Sequence, residues 1–336
     1  MKAIIARNKA IHTMEIKEPE LLPGHVLIRT EYTAVSPGTE MTAVRNSTDI
    51  PAQLGYSAVG IIERVSDEVA DIRKVGQRVA CYGGPYVRHA ELLGVPANLT
   101  APVPDHVRSE DAAFAGLGAI AIHALRTADL RFGEIAVIVG LGILGNLTAQ
   151  IAAAASYPVI GYDMNAYRAS LLGQCGIKHA YAEQQKVEDA IASLSDGFGA
   201  DSVLLCASGN GEAMFNNAFE WIRDRGKVVV VGDVTTEFSR AKMFKKEAQV
   251  LISRAGGPGR YDAGYERENR DYPMGFVRWT EGRNIREYIR LLDEKRINFD
   301  SLISGIFNAE DAQKAYDEHM TSASTAMGTL FKFSPK

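Results

Sequence analysis

The chain has 336 residues, 46% hydrophobic and 23% charged, a composition of soluble globular proteins with room for two cores. Its 37 Lys and Arg against 41 Asp and Glu leave a formal net charge of −4, which argues against a broad nucleic-acid or anionic-membrane surface, since both need clustered positive charge. Cys81, Cys175 and Cys206 lie far apart without a CxxC spacing, so neither a disulfide framework nor a four-cysteine zinc site is expected, and a reduced, cytoplasmic protein is.

The opening Met1-Lys2-Ala3-Ile4-Ile5-Ala6 carries no signal-peptide core, and no leader is expected. Through the first hundred residues, β-rich runs at 1–6, 25–32, 58–65 and 77–80 are separated by Pro23-Gly24, Pro37-Gly38 and Gly83-Gly84-Pro85. From about Ala112 the pattern changes. Compact apolar runs at 135–139, 158–162, 202–206, 227–231 and 249–253 alternate with helix candidates at 145–155, 166–175, 187–193, 214–223 and 240–246. Apolar strands alternating with helices predict a parallel sheet covered on both faces. The stretch 135–155 is long and apolar enough to mimic a membrane span, but a glycine cluster divides it into a β-branched and an alanine-rich half, so a buried strand, turn and helix are expected. Beyond Arg254, the segment 256–280 is rich in Gly, Tyr, Arg and Asp; helices at 284–295 and 310–319 and strands at 302–307 and 328–333 follow.

The sharpest motif is Gly140-Leu141-Gly142-Ile143-Leu144-Gly145, a GxGxxG between an apolar run and an alanine-rich helix. Gly140 permits the tight turn, Gly142 lets a pyrophosphate approach the backbone, and Gly145 lets helix and strand pack closely. The helix start at Ile143 and Leu144 offers free N–H groups and partial positive charge to phosphates. The next strand ends on Asp163, near the ~20-residue spacing expected for the acid that accepts ribose hydroxyls. A carboxylate there favours NAD and repels a 2′-phosphate, while Arg168 either flanks the ribose, keeping NADP open, or is a solvated helix residue. Ala207, Gly232 and Ser253, at or just past the ends of later apolar runs, complete the expected cofactor contacts.

A β-rich domain, a nucleotide domain and a returning tail resemble the medium-chain dehydrogenase/reductase family over essentially the whole chain. The carriers are Gly55-Tyr56-Ser57-Ala58-Val59-Gly60 against the family's Gly-His-Glu-x-x-Gly, the segment 33–40 against its first zinc-ligand region, Val75-Gly76-Gln77-Arg78-Val79 against a Gly-Asp-Arg-Val turn, and the proline-punctuated 96–104. The resemblance implies an α/β fold: a GroES-like β-rich catalytic domain over 1–123, a Rossmann doubly wound parallel-sheet domain over 124–256, and a tail over 257–336 returning to the catalytic domain. It also locates departures. Pro37 and Glu40 stand where Cys-Gly-x-Asp has its cysteine and aspartate, Tyr56 and Ser57 replace the His and Glu, the later ligand would fall near Gly116, and no four-cysteine lobe fits between Ala80 and Ala90. No metal is expected. The polar tail, with Ser36-Pro37-Gly38-Thr39-Glu40, resembles a zinc-lacking subgroup described as threonine-dehydrogenase-like or bacteriochlorophyllide-dehydrogenase-like. By analogy alone, that association points to a sugar or cyclitol substrate.

Without zinc, side chains must handle the proton while hydride moves. Tyr56 is the leading acid/base candidate and needs a neighbouring cation, Arg278 or Arg283, to act as a base at neutral pH. Glu40 is a base, an orienting partner, or a structural ion pair holding the tail. Ser36 and Ser57 either bond a substrate hydroxyl or cap turns. His123 is a proton relay or a packed core histidine. Arg260, Tyr261, Arg278, Trp279 and Glu281 suit a polyhydroxylated ligand, with a subunit contact or polar lid as the alternative. The expected activity is NAD-dependent hydride transfer at a secondary hydroxyl or ketone of a sugar-like small molecule, by a homodimer with no nucleic-acid or membrane partner. Redox-neutral elimination or epimerisation using NAD, zinc-free enone or quinone reduction, and nucleotide binding without turnover stay open.

Overall fold

The computed structural model describes residues 1–320 and 325–333, and the chain divides into two compact units. In chain order the first holds β1 (Lys2–Arg7), β2 (Ala10–Glu15), β3 (His25–Ala34), α1 (Pro37–Arg45), β4 (Ala52–Gln53), β5 (Ser57–Val65), β6 (Arg78–Tyr82), β7 (Leu92–Pro96), β8 (Thr100–Pro102) and α2 (Ser109–Ala112). Helix α3 (Ala115–Ala128) carries the division, between Ala119 and Ile120. The second unit continues with β9 (Ala136–Val139), α4 (Ile143–Ala154), β10 (Val159–Tyr162), α5 (Ala166–Gln174), β11 (His179–Tyr181), α6 (Gln184–Leu194), β12 (Ala200–Leu205), α7 (Glu212–Trp221), β13 (Ile222–Val230), α8 (Arg240–Lys245) and β14 (Gln249–Ile252). From Gly256 the chain belongs to the first unit again, with α9 (Ala263–Glu266), α10 (Glu281–Asp293), β15 (Ile303–Asn308), α11 (Ala312–Met320) and β16 (Gly328–Lys332).

The first unit is built on a seven-stranded sheet of order β15-β16-β3-β5-β6-β8, with β7 also on β3, and a three-stranded sheet β2-β1-β4. The long β3 and β5 are its spine, with Val26, Ile28, Ala58 and Ile62 packed on Val79, Leu93 and Val95. Gly60 is required here: a Cβ would lie 2.1 Å from the Arg29 carbonyl oxygen, where the β3–β5 register shifts. Strand β16 pairs antiparallel with β3, Leu330 opposite Ala34, and Phe331 and Tyr316 share a second core with Ile4, Val35 and Leu54.

The second unit is an all-parallel sheet of order β11-β10-β9-β12-β13-β14. Numbered within the unit this is 3-2-1-4-5-6, the doubly wound dinucleotide-binding order, whose switch point lies between β9 and β12. Burial on both faces accounts for the continuous apolar runs: Val137, Ile138, Val203 and Leu204 are all 0% exposed. The span-like stretch resolves into β9, the glycine turn and α4, and among the described residues no helix is long and apolar enough to cross a membrane.

Three details depart from expectation. Pro37-Gly38, read as a break between β-rich runs, opens α1, because Pro37 sits at its first turn, where a missing N–H costs nothing. Helix α7 stops at Trp221, since Ile222 already pairs with Ala200 as the start of β13. The first division falls at Ala119/Ile120 instead of 123/124, and Arg296–Leu302 belongs to the second unit, tied by reciprocal bonds between Gln150 and the Asn298 backbone (3.0 and 3.2 Å).

Candidate active site

In the second unit the glycine motif occupies the turn from β9 into α4. Gly140 has φ +87°, and a Cβ there would lie 2.7 Å from the Ala207 nitrogen. A Cβ on Gly145 would lie 1.8 Å from the Gly140 carbonyl oxygen, so helix and strand touch backbone to backbone. Gly142, the N-cap of α4, differs: nothing lies within 4 Å of its Cβ direction. The turn is closed where packing demands it and open where a phosphate would approach, with the N–H groups of Ile143 and Leu144 at the helix start. Gly232 completes the rim, since a Cβ there would lie 1.9 Å from the Ala207 carbonyl oxygen. Ser253 is buried, its backbone N–H bonded to Val230 O (2.9 Å) and its hydroxyl unpartnered.

Asp163 ends β10 as the spacing requires. Its Oδ2 accepts the Leu141 N–H (2.7 Å) and its Oδ1 the Asn165 N–H (2.8 Å), so the carboxylate straps the glycine turn to the second strand and keeps a lone pair on each oxygen. Arg168 lies 3.8 Å from Oδ2, and its Nε is buried without a partner.

In the first unit, Tyr56 precedes β5 and is half-buried. Its hydroxyl donates to Ser36 Oγ (2.5 Å), and its ring meets Tyr82 edge-on at 5.7 Å. Burial pushes the Tyr56 phenol up to about 12, only partly offset by the Ser36 bond, and Glu40 raises it further. Neither Arg278 nor Arg283 is among the groups that shift it. Arg283 is engaged with Asp271 (2.5 Å) and with the carbonyls of Val277, Arg278 and Tyr272, and Arg278 lies over the Trp279 ring at 3.9 Å. Burial and Glu40 thus favour the protonated Tyr56 phenol, and the two arginines expected to favour its ionised form are engaged elsewhere.

Of the roles left open for Glu40, the structural one, holding the tail, matches its contacts. Its Oε1 accepts the Ser36 N–H (2.7 Å), while His89 Nε2 lies 2.9 Å from Oε2 and the Tyr316 hydroxyl donates to the same oxygen. At 2% exposure the carboxylate is consumed by an internal network that joins α1 to α11, continued by Thr33 Oγ1 on His89 Nδ1 (2.6 Å). Ser57 is likewise turned to the interior: it is fully buried, donates to Ala113 O (2.6 Å) and accepts the Gly116 N–H (2.8 Å). Ser36 keeps its link to Tyr56. His123 stands on α3 in the second unit, where burial and Arg126 hold its imidazole below the usual range.

The aromatic–charged tail is tied mostly to itself. Arg260 pairs with Glu266, donates to Gly84 O (2.6 Å) and stacks on the exposed Tyr261 ring at 4.1 Å. Glu281 is the exception. It is fully buried at the start of α10, neither carboxyl oxygen has a hydrogen-bond partner, and burial pushes it up to about 8 against the opposing field of Arg260. Gly256 marks its surroundings, as a Cβ there would lie 2.7 Å from the Tyr82 ring and 3.1 Å from Glu281 Cβ. Sequence reasoning missed Tyr82, His89 and Tyr316. Tyr82 lies in the apolar β6, His89 in the loop before β7 and Tyr316 on α11, and only tertiary pairing gives each a role.

Gly116, near which the resemblance places the family's later metal ligand, bears on zinc directly. A Cβ on Gly116 would lie 2.6 Å from the Tyr82 ring and 2.9 Å from Ser57 Oγ, so any liganding side chain would collide with groups filling that space. Among the described residues no three His, Cys, Asp or Glu side chains are placed to share a metal ion. This donor set does not fit zinc.

Comparison with known proteins follows the same division. Residues 22–121 match the alcohol dehydrogenase GroES-like domain and residues 144–267 the zinc-binding dehydrogenase domain. A sorbitol dehydrogenase of Halalkalibacterium halodurans is 24% identical over 94% of this chain and 95% of its own length. An L-threonine 3-dehydrogenase of Mesorhizobium japonicum is 28% identical over 71% and 78%. The crystal structure of galactitol-1-phosphate dehydrogenase from Escherichia coli superposes with a TM-score of 0.81 at 18% identity, over 99% of this chain and all of that one. With a GroES-like unit, a doubly wound nucleotide unit and a nicotinamide-type glycine turn, the chain belongs to the medium-chain, zinc-type alcohol-dehydrogenase-like family of oxidoreductases.

Proposed function

We propose that the protein is a zinc-independent, NAD-dependent oxidoreductase that transfers hydride between nicotinamide and a secondary hydroxyl or ketone of a sugar- or cyclitol-like small molecule. The observation that carries the reading is a contrast. The glycine turn is intact and open at Gly142, whereas the ligand positions hold Tyr56, Ser57 and a Gly116 crowded by Tyr82. Asp163 supports NAD over NADP, because a carboxylate with free lone pairs bonds a ribose 2′-hydroxyl and repels a 2′-phosphate. The polyol substrates in the names of the sorbitol and galactitol-phosphate relatives support the substrate class.

Gly140, Gly142, Ile143, Leu144, Gly145, Asp163, Ala207, Gly232 and Ser253 would hold the dinucleotide, which when bound donates or accepts hydride at its nicotinamide ring. The chain must then manage the proton on the substrate oxygen. A phenol held near 12 is a hydrogen-bond donor and general acid, so Tyr56 suits delivery of a proton to a carbonyl oxygen as hydride arrives at its carbon. Ser36, already bonded to that hydroxyl, positions it. We also propose a cytoplasmic homodimer joined through the edge of the nucleotide sheet. There β14 presents Val250, Leu251 and a 69% exposed Ile252 on an edge with no further strand among the described residues; light scattering reads the mass directly.

The test is mass analysis of a polyol and ketose panel incubated with protein and NAD or NADH, with metal content measured on the same sample. A change of two hydrogens matched by nicotinamide turnover supports the reading. Loss of water without net NADH establishes redox-neutral chemistry instead, and stoichiometric zinc overturns metal independence. Tyr56→Phe should lower kcat by roughly a hundredfold with little change in KM, the scale of one lost proton donor.

A further inference from the structure

The Tyr56 hydroxyl is one end of a hydrogen-bonded chain that leads through Ser36 and Glu40 to His89, in the loop before β7 of the same GroES-like unit. The His89 imidazole is 0% exposed and both its nitrogens are engaged. Nδ1 lies 2.6 Å from Thr33 Oγ1, Nε2 lies 2.9 Å from Glu40 Oε2, and the Phe331 ring meets the imidazole edge-on at 4.9 Å. A hydroxyl both donates and accepts, so Thr33 serves Nδ1 whichever nitrogen carries the hydrogen. The main chain is fixed as well: the His89 N–H donates to Leu54 O (2.8 Å), and the His89 carbonyl accepts the Ile4 N–H (2.9 Å).

Two routes lead from this ring to Tyr56. The first is packing. Gly55, just before Tyr56, has φ +85°, and a Cβ there would lie 2.7 Å from His89 Nδ1 and 2.8 Å from its Cγ and Cε1. The imidazole therefore fills the place of a side chain at Gly55 and backs the turn that delivers Tyr56. The second is the hydrogen-bonded chain. Glu40, held at Oε2 by His89, accepts the Ser36 N–H at Oε1 (2.7 Å), and Ser36 Oγ accepts the Tyr56 hydroxyl (2.5 Å). One residue thus supports Tyr56 at both ends, its backbone through Gly55 and its hydroxyl through Ser36. A buried histidine–carboxyl pair is a poor way to stabilise a fold, because well-packed apolar side chains of similar volume do as well or better. What a satisfied buried polar network adds is a fixed geometry.

We infer that His89 is a positioning residue for proton delivery: it sets the aim of the Tyr56 phenol by fixing the Gly55 turn and, through Glu40, Ser36. This role rests on the reading of Tyr56 as the proton donor, and it requires no contact between His89 and substrate.

The test pairs His89→Phe, which fills the ring's place but bonds neither Thr33 nor Glu40, with His89→Gln, whose amide still offers Glu40 a donor. Protein labelled with ¹³Cζ-tyrosine reports on the phenol without any substrate, the Tyr56 signal being the one lost in Tyr56→Phe. That signal should move in His89→Phe and return toward its wild-type position in His89→Gln. On the polyol or ketose turned over fastest in the panel, His89→Phe should lower kcat roughly tenfold or more with KM unchanged, and should lower it no further in a Tyr56→Phe background. A purely structural role would cut turnover equally in both backgrounds. An unmoved Tyr56 signal in folded His89→Phe, or an equal loss of kcat with and without the Tyr56 hydroxyl, overturns the inference. Full turnover in Tyr56→Phe alongside a moved signal in His89→Phe overturns instead the reading of Tyr56 as donor, and leaves its placement by His89 standing. Should His89→Phe not fold, His89→Asn, too short to reach Glu40, takes its place, and an unmoved signal there is equally fatal.

Discussion

At the turn after β9, the groups offered to a phosphate are backbone N–H, and the sequence requirement is for residues that lack a side chain. Around Tyr56 the reverse holds, and the proposed site is made of side chains from distant parts of the chain: Ser36 on the approach to α1 and Tyr82 on β6. Backbone sites keep a readable motif because few residues fit them. Side-chain sites can exchange their chemistry while the scaffold persists, which is how a GroES-like unit holds tyrosine and serine where the family's metal ligands stand.

Breaking the backbone site should give the largest effect, and selectively. Gly145→Val must push α4 off β9, because its Cβ alone would lie 1.8 Å from Gly140 O; loss of several kcal/mol of stability and of dinucleotide binding is expected, read by thermal melting and NADH fluorescence. A Cβ at Gly142 meets no protein atom within 4 Å and φ there is −59°, so the melting temperature of Gly142→Val should stay near wild type while NADH affinity falls at least roughly tenfold. If the two variants behave alike, the division of labour within the turn is wrong.

Glu281 sharpens the other side. Its carboxyl is raised from 4.5 to about 8, so the folded state binds more protons than the unfolded state between those values. Its contribution is fully present below pH 4.5, is lost as pH rises toward 8, and is flat beyond; the upper bound is on the order of 4 kcal/mol. Glu281→Gln, isosteric and neutral, should flatten that part of the stability profile, measured by denaturant unfolding at pH 5 and 8. A variant and a wild type with parallel profiles would show that the carboxyl finds a partner in solution.

The legible part of the molecule follows from the same distinction. The parallel sheet was readable because burial on both faces leaves unbroken apolar runs, and the glycine turn because Gly140 and Gly145 exclude any Cβ. The substitutions at Pro37, Tyr56, Ser57 and Gly116 were readable as departures from a pattern, but not what replaced it. Nothing local tells that Glu40 is consumed by His89 and Tyr316, 49 and 276 residues away, or that Ser57 is spent on Ala113 and Gly116. The arginines expected beside Tyr56 were misread for the same cause: Arg283 has acceptors within its own segment, Asp271 and Val277, and local partners win over distant ones.

The smallest effect tests whether Tyr82 has replaced a ligand or merely lies near its place. Gly116→Cys restores the kind of side chain the family uses there, yet its Cβ would start 2.6 Å from the Tyr82 ring and 2.9 Å from Ser57. Overpacking of that kind costs about 1–3 kcal/mol, and added zinc should return none of it, because Tyr56 and Ser57 supply no further ligands. Tyr82→Ala alone should cost about 3–5 kcal/mol as a buried aromatic truncation. Combined, the two should cost less than their sum by about 1 kcal/mol or more, because the cavity left by the ring accommodates the thiol. Strict additivity would mean that the ring and position 116 do not compete for the same space. The crowding of Gly116, and with it the main structural support for chemistry without a metal, would then have to be abandoned.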